Sequence, residues 1–185
     1  MLTLGFETHM GKNYAYRMDH DTGFAPHVEG GLCFLSGCKK TTIELWASEN
    51  DWVIGIGGNG TKKPDRLIYA MKVNKNLTFD AFRKKYPEQS RYLTPNNKAS
   101  SPGTNVLVSD EFYYFGDKAL ELPKQLGTII IDRHGCKRIA DEDITKLKRY
   151  LDRLGFKPGK HGTPNNPMDS PRCGGCRPRT KKAIC

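Results

Sequence analysis

Two apolar runs joined by glycines, Asp51–Val73, limit the fold more than any other part of the chain. Trp52, Val53, Ile54 and Ile56 carry the first run; Leu67, Ile68, Tyr69, Met71 and Val73 carry the second. Nearly continuous apolar runs of this length suit strands covered on both faces, at the centre of a sheet. Gly55 and Gly57 leave one face of the first strand without side chains, so a ligand or a neighbouring chain segment can approach closely there. Gly55-Ile-Gly57-Gly-Asn-Gly60 also matches G-x-G-x-x-G. A dinucleotide site needs a helix starting inside those glycines, because its N-terminus holds the pyrophosphate. Thr61-Lys-Lys-Pro64 follows instead, and Thr61 stands where a phosphate-cradling loop needs lysine. The stretch therefore reads as a long hairpin loop, and both nucleotide motifs are rejected.

The same patterning places the other elements. Tyr14–Met18 suits a first strand, and Asp19–His27 is a turn-rich loop carrying Phe24 and two histidines. Thr41–Ala47 suits a short helix with Ile43, Leu45 or Trp46 inward. Thr78 is a candidate N-cap for a helix over Phe79–Tyr86, which Pro87 ends. Asn105–Val108 and Thr128–Asp132 read as strands, and Phe112–Phe115 as an aromatic strand with one core face and one half-buried face. In the last helix Ile144, Leu147, Leu151 and Leu154 form one stripe, with acids at its start and Gly155 as its cap. The reading is a single α/β (α+β) domain over residues 10–156, with a bent, barrel-like mixed sheet and flanking helices, then a basic tail over 157–185.

Thirty basic residues against twenty acidic ones give a net charge of +10, and the tail alone carries seven Lys or Arg against Asp169. That excess favours a polyanionic partner, nucleic acid or nucleotide. No apolar run approaches the ~20 residues of a membrane helix, and the chain opens without a signal-peptide pattern, so a cytoplasmic protein without a membrane partner is expected. The six cysteines then read as thiols or metal ligands. Cys173-x-x-Cys176 is a single pair that Cys185, Cys136, His134 or His161 would have to complete for zinc. One pair falls short of a zinc signature, and no cofactor is expected.

Asp21-Thr-Gly-Phe-Ala-Pro26, Cys33-Phe-Leu-Ser-Gly-Cys38-Lys39, Asp51-Trp-Val-Ile-Gly-Ile-Gly57, Leu67–Val73, Leu77-Thr-Phe79 and Val106–Gly116 occur in an order and spacing that resemble the second of the nucleotide-modification-associated domains. The resemblance covers roughly Tyr14 to Gly116. It implies a phage or bacterial protein linked to DNA base hypermodification. His27 stands where that family often has asparagine, and the loop from Pro87 to Asn105 is short. The strand–loop–strand order is also similar to PUA-related base-reading domains of the EVE kind, a likeness of fold alone.

A base reader needs rings for stacking, polar groups for the base edge and cations for phosphate. Phe24, Trp52 and Tyr69 are the candidate rings, and Asp21, His27 and Ser36 the candidate edge readers. Pro26 would fix the loop, Gly55 and Gly57 would leave room, and Cys33, Cys38 and Lys39 complete the candidate base site. Lys40, Lys62 and Lys63 are the candidate phosphate ligands. Recognition of a nucleotide or modified base is the leading expectation. The alternatives are an enzyme acting on such a base, with Cys33 or Cys38 as nucleophile and His27 as its base, and a protein–protein adaptor using the basic tail.

Overall fold

The computed structural model describes residues 12–36, 43–92, 105–132 and 135–167. In chain order the strands are β1 (Asn13–Met18), β2 (His27–Glu29), β3 (Leu32–Ser36), β4 (Trp52–Gly57), β5 (Arg66–Lys72), β6 (Lys75–Thr78), β7 (Asn105–Ser109), β8 (Glu111–Tyr114), β9 (Leu120–Glu121), β10 (Cys136–Ile139) and β11 (Gly159–Lys160). The α-helices are α1 (Ile43–Trp46), α2 (Phe79–Lys85) and α3 (Asp141–Arg153).

The expected hairpin is present: β4 pairs antiparallel with β5, Trp52 opposite Lys72 and Gly55 opposite Tyr69. Around it runs one sheet in the order β10-β1-β4-β5-β8-β11, with β9 also paired to β5. β1 lies parallel to β4, and β11 parallel to β8. A second sheet, β2-β3-β7-β6, packs against it. The expected single mixed α/β domain with flanking helices is present. The described strands form two sheets and no closed barrel, because the chain steps from the first sheet to the second between β5 and β6 and returns between β7 and β8. These two of the four crossings are tied together: the Asp110 N–H donates to Asn74 Oδ1 (2.9 Å), and the Asn74 N–H to the Val108 carbonyl (2.9 Å).

Side-chain alternation divides the core into three. Between the sheets lie Tyr14, Tyr16, Met18, Cys33, Leu35, Val53, Tyr69, Met71, Phe112 and Tyr114. The outer face of the larger sheet buries Ala15, Trp52, Ile54, Tyr113 and Phe115 under α3, whose Ile144, Leu147 and Leu151 are buried. The outer face of the smaller sheet packs Phe34, Val106 and Val108 against Phe79 and Phe82 of α2 and against Phe24. Helix, sheet, sheet, helix is the resulting layering, so Phe112–Phe115 is buried on both faces rather than half-buried on one.

Local signals explain the helices. Thr78 accepts from the Ala81 N–H (3.3 Å) as the N-cap of α2. Asp141, Glu142 and Asp143 open α3, and Gly155 follows it at φ 78°, as a left-handed C-terminal residue should. Leu154, expected on the buried stripe, is half exposed beyond the last turn. Thr128–Asp132 is not a strand. Lys124–Ile129 forms a 3-10 helix, and Leu126 and Ile129, three residues apart, share its buried side.

The fold continues past Phe156. His161 N–H donates to the Tyr114 carbonyl (2.8 Å), and Thr163 N–H to Asp117 Oδ1 (2.7 Å). Residues 157–167 thus pack along β8 and turn back across the loop after β1. Within the described residues no helix is long and apolar enough to cross a membrane.

Candidate functional site

At one end of the inter-sheet layer, polar groups replace the apolar packing. Tyr69 Oη donates to Tyr16 Oη (2.9 Å), both rings buried. α1 covers this end. The Asn76 side-chain amide of β6 holds it by donating to the carbonyls of Glu44 (2.9 Å) and Ala47 (2.7 Å), and Asn105 donates in turn to Asn76 Oδ1 (2.9 Å). The helix was expected to point Ile43, Leu45 or Trp46 inward. Ile43 is buried, but its other inward residue is the acid Glu44, 5% exposed, while Leu45 (61%) and Trp46 (52%) face outward. In a helix this short, residues 43, 44 and 47 share the inner side, which leaves 45 and 46 outside.

Burial governs the electrostatics. Removal from water pushes the Glu44 carboxyl from 4.5 up to about 8, and a hydrogen bond from its own backbone N–H opposes the rise. The Glu44 charge reaches Tyr16 and Tyr69, whose hydroxyls are raised first by burial and then by such neighbours. The Cys33 thiol is raised by burial alone. Ser36, fully buried at the end of β3, has no hydrogen-bond partner for Oγ among the described residues. At neutral pH this end of the layer holds the largely protonated Glu44 and the tyrosine hydroxyls, with Trp46 exposed above and the Tyr14 ring beneath it at 6.4 Å.

A second polar centre forms around Asp21. Tyr114 Oη donates to Asp21 Oδ1 (2.7 Å), and the Asn165 backbone and side-chain N–H groups donate to Oδ2 (3.0 and 3.1 Å). Asn166 and the Asp21 backbone exchange two more bonds, 2.8 and 3.1 Å. Burial raises the Asp21 carboxyl above the usual range, and these hydrogen bonds oppose the rise. Its role here is to fasten residues 157–167 to the loop after β1.

The residues singled out in the sequence do not converge. Phe24 is in the α2-side core, Trp52 in the α3-side core and Tyr69 between the sheets, so the three rings share no platform. Gly55 and Gly57 leave no room for a ligand. A Cβ at Gly55 would overlap the Tyr69 ring, and one at Gly57 the Lys63 carbonyl. The glycine-rich loop continues as a 3-10 turn, Asn59–Thr61, instead of a phosphate-binding helix. Pro26 is buried after a cis Ala25–Pro26 bond, and His27 Nδ1 lies 2.9 Å from the Gly23 carbonyl. His27 stacks on Phe34, its partner across β2 and β3, at 6.4 Å. Cys33 points to the opposite face of β3, and the expected His27–Cys33 pair is therefore not assembled. Lys62 is exposed and Lys63 half-buried beside the 3-10 turn. Cys38, Lys39, Lys40, His134, Cys173, Cys176 and Cys185 lie outside the described residues. No group of three His, Cys, Asp or Glu that could hold a metal occurs among the described residues.

Comparison with known proteins adds one finding. The family model described as nucleotide modification associated domain 2 matches residues 10–102 and 87–170. The chain belongs to this family. No curated protein and no solved structure matches it. The family name ties this nucleotide modification associated domain to nucleotide modification systems. The match also runs beyond Phe156, across the residues that close over Asp21.

Two acids of this nucleotide modification associated domain that look like site residues serve its folding. Asp51 accepts from the backbone N–H groups of Lys12 (2.9 Å) and Ser48 (2.7 Å) and thereby fixes the entry to β4. Asp21 is enclosed as described above. Glu44, Tyr16 and Trp46 gave no motif in the sequence. The four-residue helix turns Glu44 inward toward Tyr16 and leaves Trp46 on its outer side.

Proposed function

We propose that this domain recognises a nucleotide or modified base in nucleic acid at the α1 end of the inter-sheet layer. The observation that carries the reading is Glu44, a buried acid held largely protonated at neutral pH beside the Tyr16–Tyr69 hydroxyl pair. A protonated carboxyl offers one O–H donor and an acceptor side by side, and a base edge presents the complementary pair. Trp46 supplies the exposed ring on which a base can stack, the role sequence patterning gave to Phe24, Trp52 and Tyr69.

Recognition is preferred to thiol chemistry on two grounds. Cys33 is kept as a thiol by burial, and His27 lies across the sheet from it. One observation favours an enzyme as the second reading: a carboxyl with a pKa of about 8 is also poised as a general acid.

Equilibrium binding of the full chain to matched oligonucleotides with and without a modified base, followed by mass spectrometry of the same samples, separates these readings. Selective binding with unchanged base masses is expected. A mass shift would establish the enzyme instead, and equal or absent binding of both oligonucleotides would sink the recognition reading.

A further inference from the structure

The far side of the molecule carries a second feature that the proposed base site does not use. α3 and the 3-10 helix Lys124–Ile129 enclose an open cleft of about 670 Å³. Lys146, Arg149 and Arg153 line it, against one acid, Asp152. Neighbouring cations on α3 are neutralised within the fold. Lys146 pairs with Asp143 (3.4 Å), and Lys148 pairs with Glu111 (3.0 Å) while lying 5.3 Å from the centre of the Trp52 ring. No ion pair or hydrogen bond among the described residues engages the side chain of Arg149 or Arg153.

We infer that this cleft is a contact site for the phosphodiester backbone of nucleic acid, additional to the base site and resting on the nucleic-acid reading above. Arg149 and Arg153 are one helical turn apart, so both guanidinium groups project over the same stretch of cleft. Guanidinium is the side chain whose fork fits phosphate oxygens bidentately, and both here are exposed and uncommitted. A cation at a helix C-terminus is favoured by the dipole, which accounts for Arg153 in the last turn. The dipole does not account for a pair of arginines facing a cleft. The wall is also suited to a strand: Pro123 and Tyr150 give it apolar surface, and Tyr150 is held by its hydroxyl donating to the Glu121 carbonyl (2.9 Å). Asp152 would repel a phosphate close to it, which places the strand along the Arg149–Arg153 side.

The test is the salt dependence of binding by the full chain to a labelled single-stranded DNA of mixed sequence. Each phosphate contact contributes about 0.7 to the slope of log K against log salt on single strands. Arg149→Gln with Arg153→Gln should therefore lower the slope by about 1.4, leaving the melting temperature unchanged. A charge-matched control, Arg83→Gln with Lys84→Gln on the exposed side of α2, should keep the wild-type slope. An unchanged slope in the α3 variant, an equal loss in both variants, or no DNA binding by the wild-type chain overturns the inference. The base-reading proposal fails separately, by loss of preference between modified and unmodified DNA in the wild-type chain. The α3 variant should weaken binding to both and keep their ratio.

Discussion

Replacing Glu44 by glutamine is expected to remove most of the dependence of stability on pH between mildly acidic and mildly alkaline solution. The folded-state carboxyl titrates at about 8, against a usual value of 4.5. Between those values the folded chain holds a proton that the unfolded chain has released. The stability from this group is complete below pH 4.5 and is lost as pH rises through 8. A shift of this size corresponds to a loss on the order of 5 kcal/mol, since each unit is worth about 1.4 kcal/mol. Urea unfolding at about pH 5 and about pH 8.5 reads it directly. Wild type should be markedly weaker at the higher pH, and Glu44→Gln nearly level. Asp21 is also raised by burial, so its contribution has the same sign. An undiminished slope in Glu44→Gln would show that the carboxyl is not buried as described.

Phe24→Ala should cost ~3–5 kcal/mol of stability while leaving ligand affinity of the folded fraction unchanged. Phe24 is 1% exposed and packs in the α2-side core with Phe34 and Phe82, on the side of the smaller sheet away from Glu44 and Tyr16. The pairing of a denaturation curve with a binding isotherm on the same preparation checks both halves. Weak binding with full stability would return Phe24 to the role of a stacking ring and move the site to the loop after β1.

The strands of the central hairpin could be read because their apolar runs are long, and α3 because its stripe recurs at helical spacing. Part of the misplaced site could have been read as well. Trp52 and Gly55 are three residues apart on one strand, so alternation puts them on opposite faces. Cys33 and Phe34 are adjacent, and the pairing of His27 with Phe34 removes His27 from the thiol. What alternation cannot supply is which layer covers each face. That depends on the second sheet, whose pairing of β3 with β7 joins residues seventy or more positions apart. The face that Gly55 and Gly57 leave bare has occupants of its own. Tyr69 and the turn at Lys63 fill it, the neighbouring side chain and the neighbouring loop. Glu44 was unreadable because four-residue helices have no periodicity, and an acid flanked by Ile43 and Leu45 reads as an outward position. Asn165 and Asn166 sit in a stretch rich in proline and glycine, and only the enclosed Asp21 gives them a purpose.

Trp46 gives the most direct test of the proposed site, because an exposed ring can be removed without opening a core. Calorimetric titration of wild type and Trp46→Ala with the modified-base oligonucleotide should show affinity reduced by roughly 5-fold to over 100-fold, the worth of one base–aromatic stack. The two proteins should melt at the same temperature, since Trp46 is 52% exposed. Equal affinities at equal stability would contradict a base site at the α1 end of the inter-sheet layer.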